Sequence, residues 1–222
     1  MFKSLVFKEW LKIRWVFIGL AAVNFLVVMN IYFDLLNTFK VYSANVVVGQ
    51  FQAYEIVFYS NIKYILLLTG LILGVFQFFP EINQTRLKLT FHLPRKENKL
   101  MFQMVSVGVL LLISIFLFDA VSLSIICTKF LPREFFESML ITTLPWYIGS
   151  ICTYIWLITI FIEPNWVKKT ISILVAVGIV SLFYAGEGYG KYAFSIWYFV
   201  LLTGFCSSII FLSAYNFKRG IC

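Results

Sequence analysis

Six apolar runs, separated by short polar segments, constrain this 222-residue chain more than any other feature. Each run approaches the roughly 20 residues that a helix needs to cross the hydrocarbon core of a bilayer. With 61% hydrophobic and only 13% charged residues, the composition does not fit a soluble domain of this length. The pattern therefore predicts a polytopic membrane protein, with spans at 15–32, 61–79, 100–127, 142–162, 170–185 and 192–216.

The predicted fold is all-α, with residues 1–222 forming a single transmembrane domain of six helices. Residues 1–13 precede the first span, and Lys8, Glu9 and Lys12 share one face at a helical period of 3.6 residues. We therefore expect an amphipathic helix that lies in the membrane interface. The alternative is a plain cytosolic extension of the first span. Segment 33–60 is expected to be an aromatic loop against the outer membrane surface.

The distribution of basic residues predicts the orientation of the chain. An even number of spans places both termini on the same side of the membrane. Thirteen of the 18 Lys and Arg residues fall in the N-terminus, segment 81–99, the turn 163–169 and the C-terminus. Because cytosolic loops are rich in Lys and Arg, we expect both termini to be cytosolic, as in a protein of the bacterial inner membrane.

Several kinds of chemistry are excluded by the residues that the chain lacks. Its one histidine, His92, excludes a multi-histidine metal site and a Ser–His couple within the membrane. The four cysteines lie singly, without CxxC spacing, which argues against a zinc site or a disulfide framework. HExxH and GxxxxGK[ST] are both absent. We therefore expect no enzymatic activity and no cofactor in this chain, and the net charge of +8 reflects topology rather than nucleic-acid binding.

Asp119 is the one ionisable residue deep inside a predicted span. An intramembrane carboxylate costs roughly 2.5–3.5 kcal/mol on insertion scales, so it needs a partner, water or a neutral form. One interpretation is a proton or cation relay, as in a secondary transporter. The other is a structural hydrogen bond or a position near the outer interface. A relay normally links several such groups, and a single carboxylate without an internal repeat argues against it.

Two pairs of small residues are spaced four apart within predicted spans. They are Gly70 and Gly74 in the second span, and Gly204 and Ser208 in the sixth. Such spacing lets helix backbones approach closely. Internal packing is the commoner use of such pairs, and a seam between two copies is the alternative.

Segment 81–99 is the longest polar interval of the chain, and four apolar side chains are interleaved with its charges. A loop that needed only solvation would not require them. We interpret the segment as a docking element for a cytosolic protein, and the alternative is a juxtamembrane segment that binds anionic lipid. The candidate contact residues are Arg86, Leu87, Leu89, Phe91, Leu93, Pro94, Arg95 and Lys96.

This layout resembles the six-span permease subunits of ABC transporters of the type-2 export class. The family loop has a glutamate, a Gly-Thr pair, leucines, a Leu-Pro step and a lysine before the third span. Gln84 stands where the family has glycine, and no Ser or Thr follows Pro94. The opening Phe7-Lys8-Glu9 with Arg14 is also similar to the family. The matching loop positions are Glu81, Thr85, Leu87, Leu89, Phe91, Leu93, Pro94, Arg95 and Lys99.

The resemblance implies an exporter subunit without catalytic residues of its own. Two copies of a cytosolic ATPase would supply the ATP and Mg²⁺ sites, and a second permease, identical or similar, would complete the complex. The interfacial helix (Lys8, Glu9, Lys12) and segment 81–99 would contact the ATPase. The alternative is a membrane anchor or sensor subunit that does not transport and docks a cytosolic complex through the same segment.

Overall fold

The computed structural model describes residues 2–53, 57–83, 97–186, 188 and 190–219. Its described residues form helices and turns, without a strand. Six of the helices, all except α2, are long and apolar enough to cross a membrane. The prediction of an all-α, multi-span membrane protein is confirmed at this level, while the side of the termini stays a prediction. The helices are α1 (Phe2–Val41), α2 (Ala44–Ala53), α3 (Ser60–Asn83), α4 (Glu97–Phe130), α5 (Arg133–Ile162), α6 (Trp166–Tyr184) and α7 (Ile196–Arg219).

Helix α1 differs from the prediction of a separate interfacial helix over residues 1–13. It runs for 40 residues without interruption, which corresponds to about 60 Å at 1.5 Å per residue. Between Leu5 and Ile18 the sequence contains no Pro, no Gly and no capping residue such as Ser or Asn. Because nothing there ends a helix, the polar first turns continue directly into the first span.

The outer segment 33–60 was expected to be a loop, and most of it is helical instead. Helix α1 extends to Val41, and the ten-residue α2 follows it. Val47 and Phe51 of α2 are buried, and the ring of Phe51 stacks on Phe58 at 5.9 Å. These apolar contacts hold Phe51 and Phe58 against the bundle, whereas Phe33 and Tyr42 of the same segment stay exposed.

Helix α5 is the centre of the bundle. It packs against α3, α4, α6 and α7, and it is the most buried of the six long helices. Its threonine side chains are compatible with this burial because each bonds to the backbone of α5 one turn earlier. Thr153, for example, donates to the carbonyl of Gly149 at 2.8 Å, and Thr159 to that of Ile155 at 3.0 Å.

Glycines allow the close approach of α3 and α5. A methyl group added at Gly70 would collide with the backbone carbonyl of Ser150, and one at Gly74 would press against Leu157 and Tyr154. The Ser150 hydroxyl donates to the carbonyl of Leu66 at 2.6 Å, which bonds the two helices directly. Gly70 and Gly74 therefore serve internal packing, as small residues do between membrane helices.

The second predicted pair of small residues is not used in this way. Gly204 and Ser208 are both exposed, and a methyl group at Gly204 would meet no atom within 4 Å. Helix α7 packs mainly on α5 and α4, and its opposite side carries exposed apolar residues such as Phe205 and Leu212.

We expect Gly70→Ala to lower the stability of the bundle by about 2 kcal/mol, because α3 and α5 must separate to admit the methyl group. The matched control is Gly178→Ala on α6, where a methyl group meets nothing within 4 Å. This control should keep or slightly raise stability, since Ala is the better helix former. Denaturant-induced unfolding in detergent micelles measures both, and equal stability of the two variants would contradict the close α3–α5 contact.

Candidate functional site

Side chains from three helices, α1, α3 and α5, form a buried polar cluster near the end of the bundle that contains the start of α1. The cluster consists of two carboxylates, two lysines, one amide and one phenol. Glu9, Glu81, Gln77 and Tyr154 are fully buried, with 0% exposure. We refer to this set as the polar cluster, and its members are Lys8, Glu9, Lys12, Gln77, Glu81 and Tyr154.

Lys12 lies at the centre of the charges. Its ammonium is 2.8 Å from Oε2 of Glu9, one turn earlier on α1, and 3.1 Å from Oε1 of Glu81 at the end of α3. Lys8 reaches the same Glu81 oxygen at 3.1 Å. The two lysines balance the two carboxylates, so the ionised side chains are paired despite their burial. Opposite charges at these distances hold the beginning of α1 against the end of α3.

Gln77 connects these charges to the middle of the bundle. Its Nε2 donates to Oε2 of Glu9 at 3.1 Å and to the backbone carbonyl of Met104 on α4 at 2.9 Å. Its Oε1 accepts the hydroxyl of Tyr154 on α5 at 2.7 Å. Both amide donors and the carbonyl oxygen are therefore used.

A glycine on α4 makes room for the Tyr154 hydroxyl. The position where a side chain of residue 108 would begin is occupied by that hydroxyl and by Oε1 of Gln77. Any larger residue at position 108 would displace both groups. Gly108 therefore belongs to the site, although it contributes no polar atom.

One carboxylate oxygen of the cluster has no hydrogen-bond donor among the described residues. Oε2 of Glu81 is buried and accepts no hydrogen bond from any residue that the structure describes. Glu81 lies three residues before the segment 84–96. A buried carboxylate oxygen without a donor is costly, so this oxygen is a point where an added donor or cation would be stabilised.

Two sets of residues were predicted to contact a partner, one in segment 81–99 and one at the start of α1. The docking residues Arg86, Leu87, Leu89, Phe91, Leu93, Pro94, Arg95 and Lys96 lie outside the described residues. Lys8, Glu9 and Lys12 are predicted to contact a partner, and this stays a prediction; in the single chain Glu9 is fully buried and Lys12 is 15% exposed. Both turn inward because Glu81 and Gln77 of α3 supply their counter-groups. Lys8 keeps 42% exposure and can still face outward.

Gln77, Tyr154 and Gly108 were missed by sequence reasoning. One signal was present, since an amide inside an apolar span costs free energy unless it is bonded. Gln77 is such a residue, and it indicated a polar contact without identifying the partner. The hydrogen-bond partner of Gln77 could not be identified from the sequence, because Gln77 and Tyr154 are 77 residues apart in the chain.

Asp119 lies in a different part of the bundle, in the second half of α4. It is 1% exposed, and its Oδ1 has no hydrogen-bond partner among the described residues. One turn earlier, the ring of Phe116 packs on Tyr147 of α5 at 5.1 Å, and the Tyr147 hydroxyl is likewise without a described partner. The structural hydrogen bond that was one interpretation of Asp119 is therefore not seen at Oδ1, and the relay interpretation stays untested.

The polar cluster bonds α1, α3, α4 and α5 to one another. Within the described ranges, no group of three or more His, Cys, Asp or Glu residues is placed to hold a metal ion. Comparison of the chain with protein-family models, with curated proteins and with solved structures finds no match.

We expect Lys12→Met to lower the free energy of unfolding by about 2 kcal/mol, because Glu9 then remains buried without a counter-charge. The control, Lys8→Met, leaves Glu81 paired with Lys12 and should cost no more than about 0.5 kcal/mol. Unfolding in detergent at low and high salt measures both. Equal losses in the two variants would show that Lys12 does not carry the charge balance of the cluster.

Substitution of Asp119 should not lower the stability of the bundle, in contrast to substitution of Lys12. We expect Asp119→Asn and Asp119→Leu to unfold at temperatures no lower than the wild type, because a neutral side chain removes a buried carboxyl with an unused oxygen. Glu9→Gln provides the contrast, and it should lower the unfolding temperature by disrupting paired charges. A large loss of stability in Asp119→Asn would reveal a bonded and structurally required carboxylate.

Proposed function

We propose that this chain is the permease subunit of an ATP-driven ABC exporter and works with a separate cytosolic ATPase. The observation that carries the proposal is the polar cluster. It joins the start of α1 and the end of α3, where the proposed docking segment begins, to α4 and to the central helix α5. The topology of six apolar helices and the layout of the sequence support the same interpretation.

The mechanism follows from how the cluster connects the helices. A protein that binds segment 81–99 pulls on the end of α3, because Glu81, the first residue of that segment, belongs to α3. Glu81 shares Lys12 with Glu9, and Glu9 shares Gln77 with Tyr154. A shift of α3 therefore has to break or re-form bonds to α1, α4 and α5. Nucleotide binding on the ATPase would bias such a rearrangement between two packed arrangements.

The proposal assigns the ATP and Mg²⁺ sites to the partner and none to this chain. The complex would contain two ATPase subunits and a second permease, identical or similar, in a bacterial inner membrane with both termini cytosolic. Substrate would cross, or leave the membrane, through a rearrangement of helices without any covalent step.

The direct test is purification of the full chain from native membranes in mild detergent, followed by mass spectrometry of the bound subunits. We expect an ATPase with a GxxxxGK[ST] motif in the complex. The double variant Arg95→Glu/Lys96→Glu should lose that ATPase, since charge reversal at a docking surface repels the partner. The same double variant should keep the unfolding temperature of the wild type. Native complexes without such an ATPase would refute the proposal.

Tyr154→Phe tests the coupling through the cluster. This variant removes the hydroxyl that bonds to Gln77 and keeps the ring. We expect it to retain ATPase binding and to reduce transport-linked ATP hydrolysis by about tenfold, as the loss of one buried hydrogen bond of about 1.4 kcal/mol would produce. Tyr198→Phe on α7 is the control, because Tyr198 is 73% exposed. An ATPase rate that is unchanged by Tyr154→Phe would favour an anchor subunit that does not transport.

A further inference from the structure

An apolar groove lies between α4, α5 and α7, and it adjoins the polar cluster along the first part of α4. Its volume is about 560 Å³, and it opens on the side of the bundle. Phe102 and Leu110 line it from α4, Ile151 from α5, and Val200 and Phe211 from α7. Because these helices cross the membrane, the opening faces hydrocarbon rather than water.

The few hydroxyl groups in the groove are already bonded. Ser106 donates to the carbonyl of Gln103 at 2.9 Å, Thr203 to that of Phe199 at 2.9 Å, and Ser207 to that of Gly204 at 2.6 Å. A polar ligand would find no free donor among them. The lining therefore favours an occupant that needs no hydrogen bonds.

The length of the groove matches one leaflet. Its α7 wall extends from Val200 to Phe211, which is about 16 Å along a helix. The hydrocarbon core of a bilayer is about 30 Å thick, so one leaflet contributes about half of it. The α4 wall begins at Phe102, close to the start of that helix, so this wall of the groove ends on the side of the polar cluster.

A basic residue stands at the end of the groove. Lys99 is exposed and lies three positions before Phe102, on the same face of α4. An ammonium at the membrane surface attracts the headgroup of an anionic lipid. The groove and Lys99 together have the shape and the charge of a site for one chain and one headgroup.

Gly204 keeps the groove open. It lies in the middle of α7, where glycine costs about 1 kcal/mol relative to alanine, and no atom lies within 4 Å of the position of an added methyl group. The glycine therefore leaves space that no side chain of the described residues fills.

We propose that this groove binds one acyl chain of an anionic phospholipid, with the phosphate headgroup at Lys99. Burial of apolar surface that is otherwise open drives the binding of the chain, and the ammonium selects the headgroup. This site does not depend on the proposed exporter function, since it requires neither an ATPase nor transport.

The test is native mass spectrometry of the full chain, delipidated in detergent and titrated with 1-palmitoyl-2-oleoyl-phosphatidylglycerol. Gly204→Leu fills the groove and should weaken binding of the first lipid by about tenfold, as expected when a few methylene contacts are lost. Gly178→Leu adds the same side chain at an equally open, exposed position outside the groove and should bind as the wild type does.

Lys99→Gln separates the contribution of the headgroup. It should weaken the binding of phosphatidylglycerol by about fivefold and leave the binding of phosphatidylcholine unchanged. Equal lipid binding by Gly204→Leu and Gly178→Leu would overturn the proposal. So would loss of a dimer in Gly204→Leu alone, because the groove would then hold a second copy of the chain. Unaltered phosphatidylglycerol binding in Lys99→Gln would overturn the assignment of the headgroup.

Discussion

The close contact of α3 with α5 determines where the other parts of the structure lie. Gly70 and Gly74 let the two backbones meet at Ser150 and Tyr154. With this register, the next inward-facing residue of α3 is Gln77, and it meets the Tyr154 hydroxyl at 2.7 Å. A looser contact would leave the amide and the phenol unbonded in an apolar bundle, which is costly for both. The hydrogen bond between Gln77 and Tyr154 therefore depends on the close packing at Gly70 and Gly74.

The polar cluster and the apolar groove share the first part of α4. The carbonyl of Met104 accepts from Gln77, while Val105 next to it lines the groove and has its carbonyl 3.4 Å from the Tyr154 hydroxyl. A movement of α4 relative to α5 would therefore change both sites at once. This shared wall offers a physical route by which lipid in the groove and charge at the end of α3 affect each other.

Much of the helix pattern could be predicted because each span must satisfy its own backbone within lipid. The length of each apolar run was sufficient to predict a helix. The boundaries were less predictable: α1 begins at Phe2 and continues without a break into the first span, and α5 begins at Arg133 rather than near residue 142. Charged residues do not end a helix when no Pro, Gly or cap follows, so the change from polar to apolar composition did not mark the helix ends.

The sequence by itself determined an all-α membrane protein, its six apolar helices and the need of Asp119 for special surroundings, because these depend on local composition and on the energetics of the bilayer. Only the tertiary structure decided that Glu9 and Lys12 turn inward to Glu81. A helical face of charges reads the same whether it meets water, a partner or another helix. The choice among these depends on contacts between residues 69 positions apart, and no local pattern encodes them.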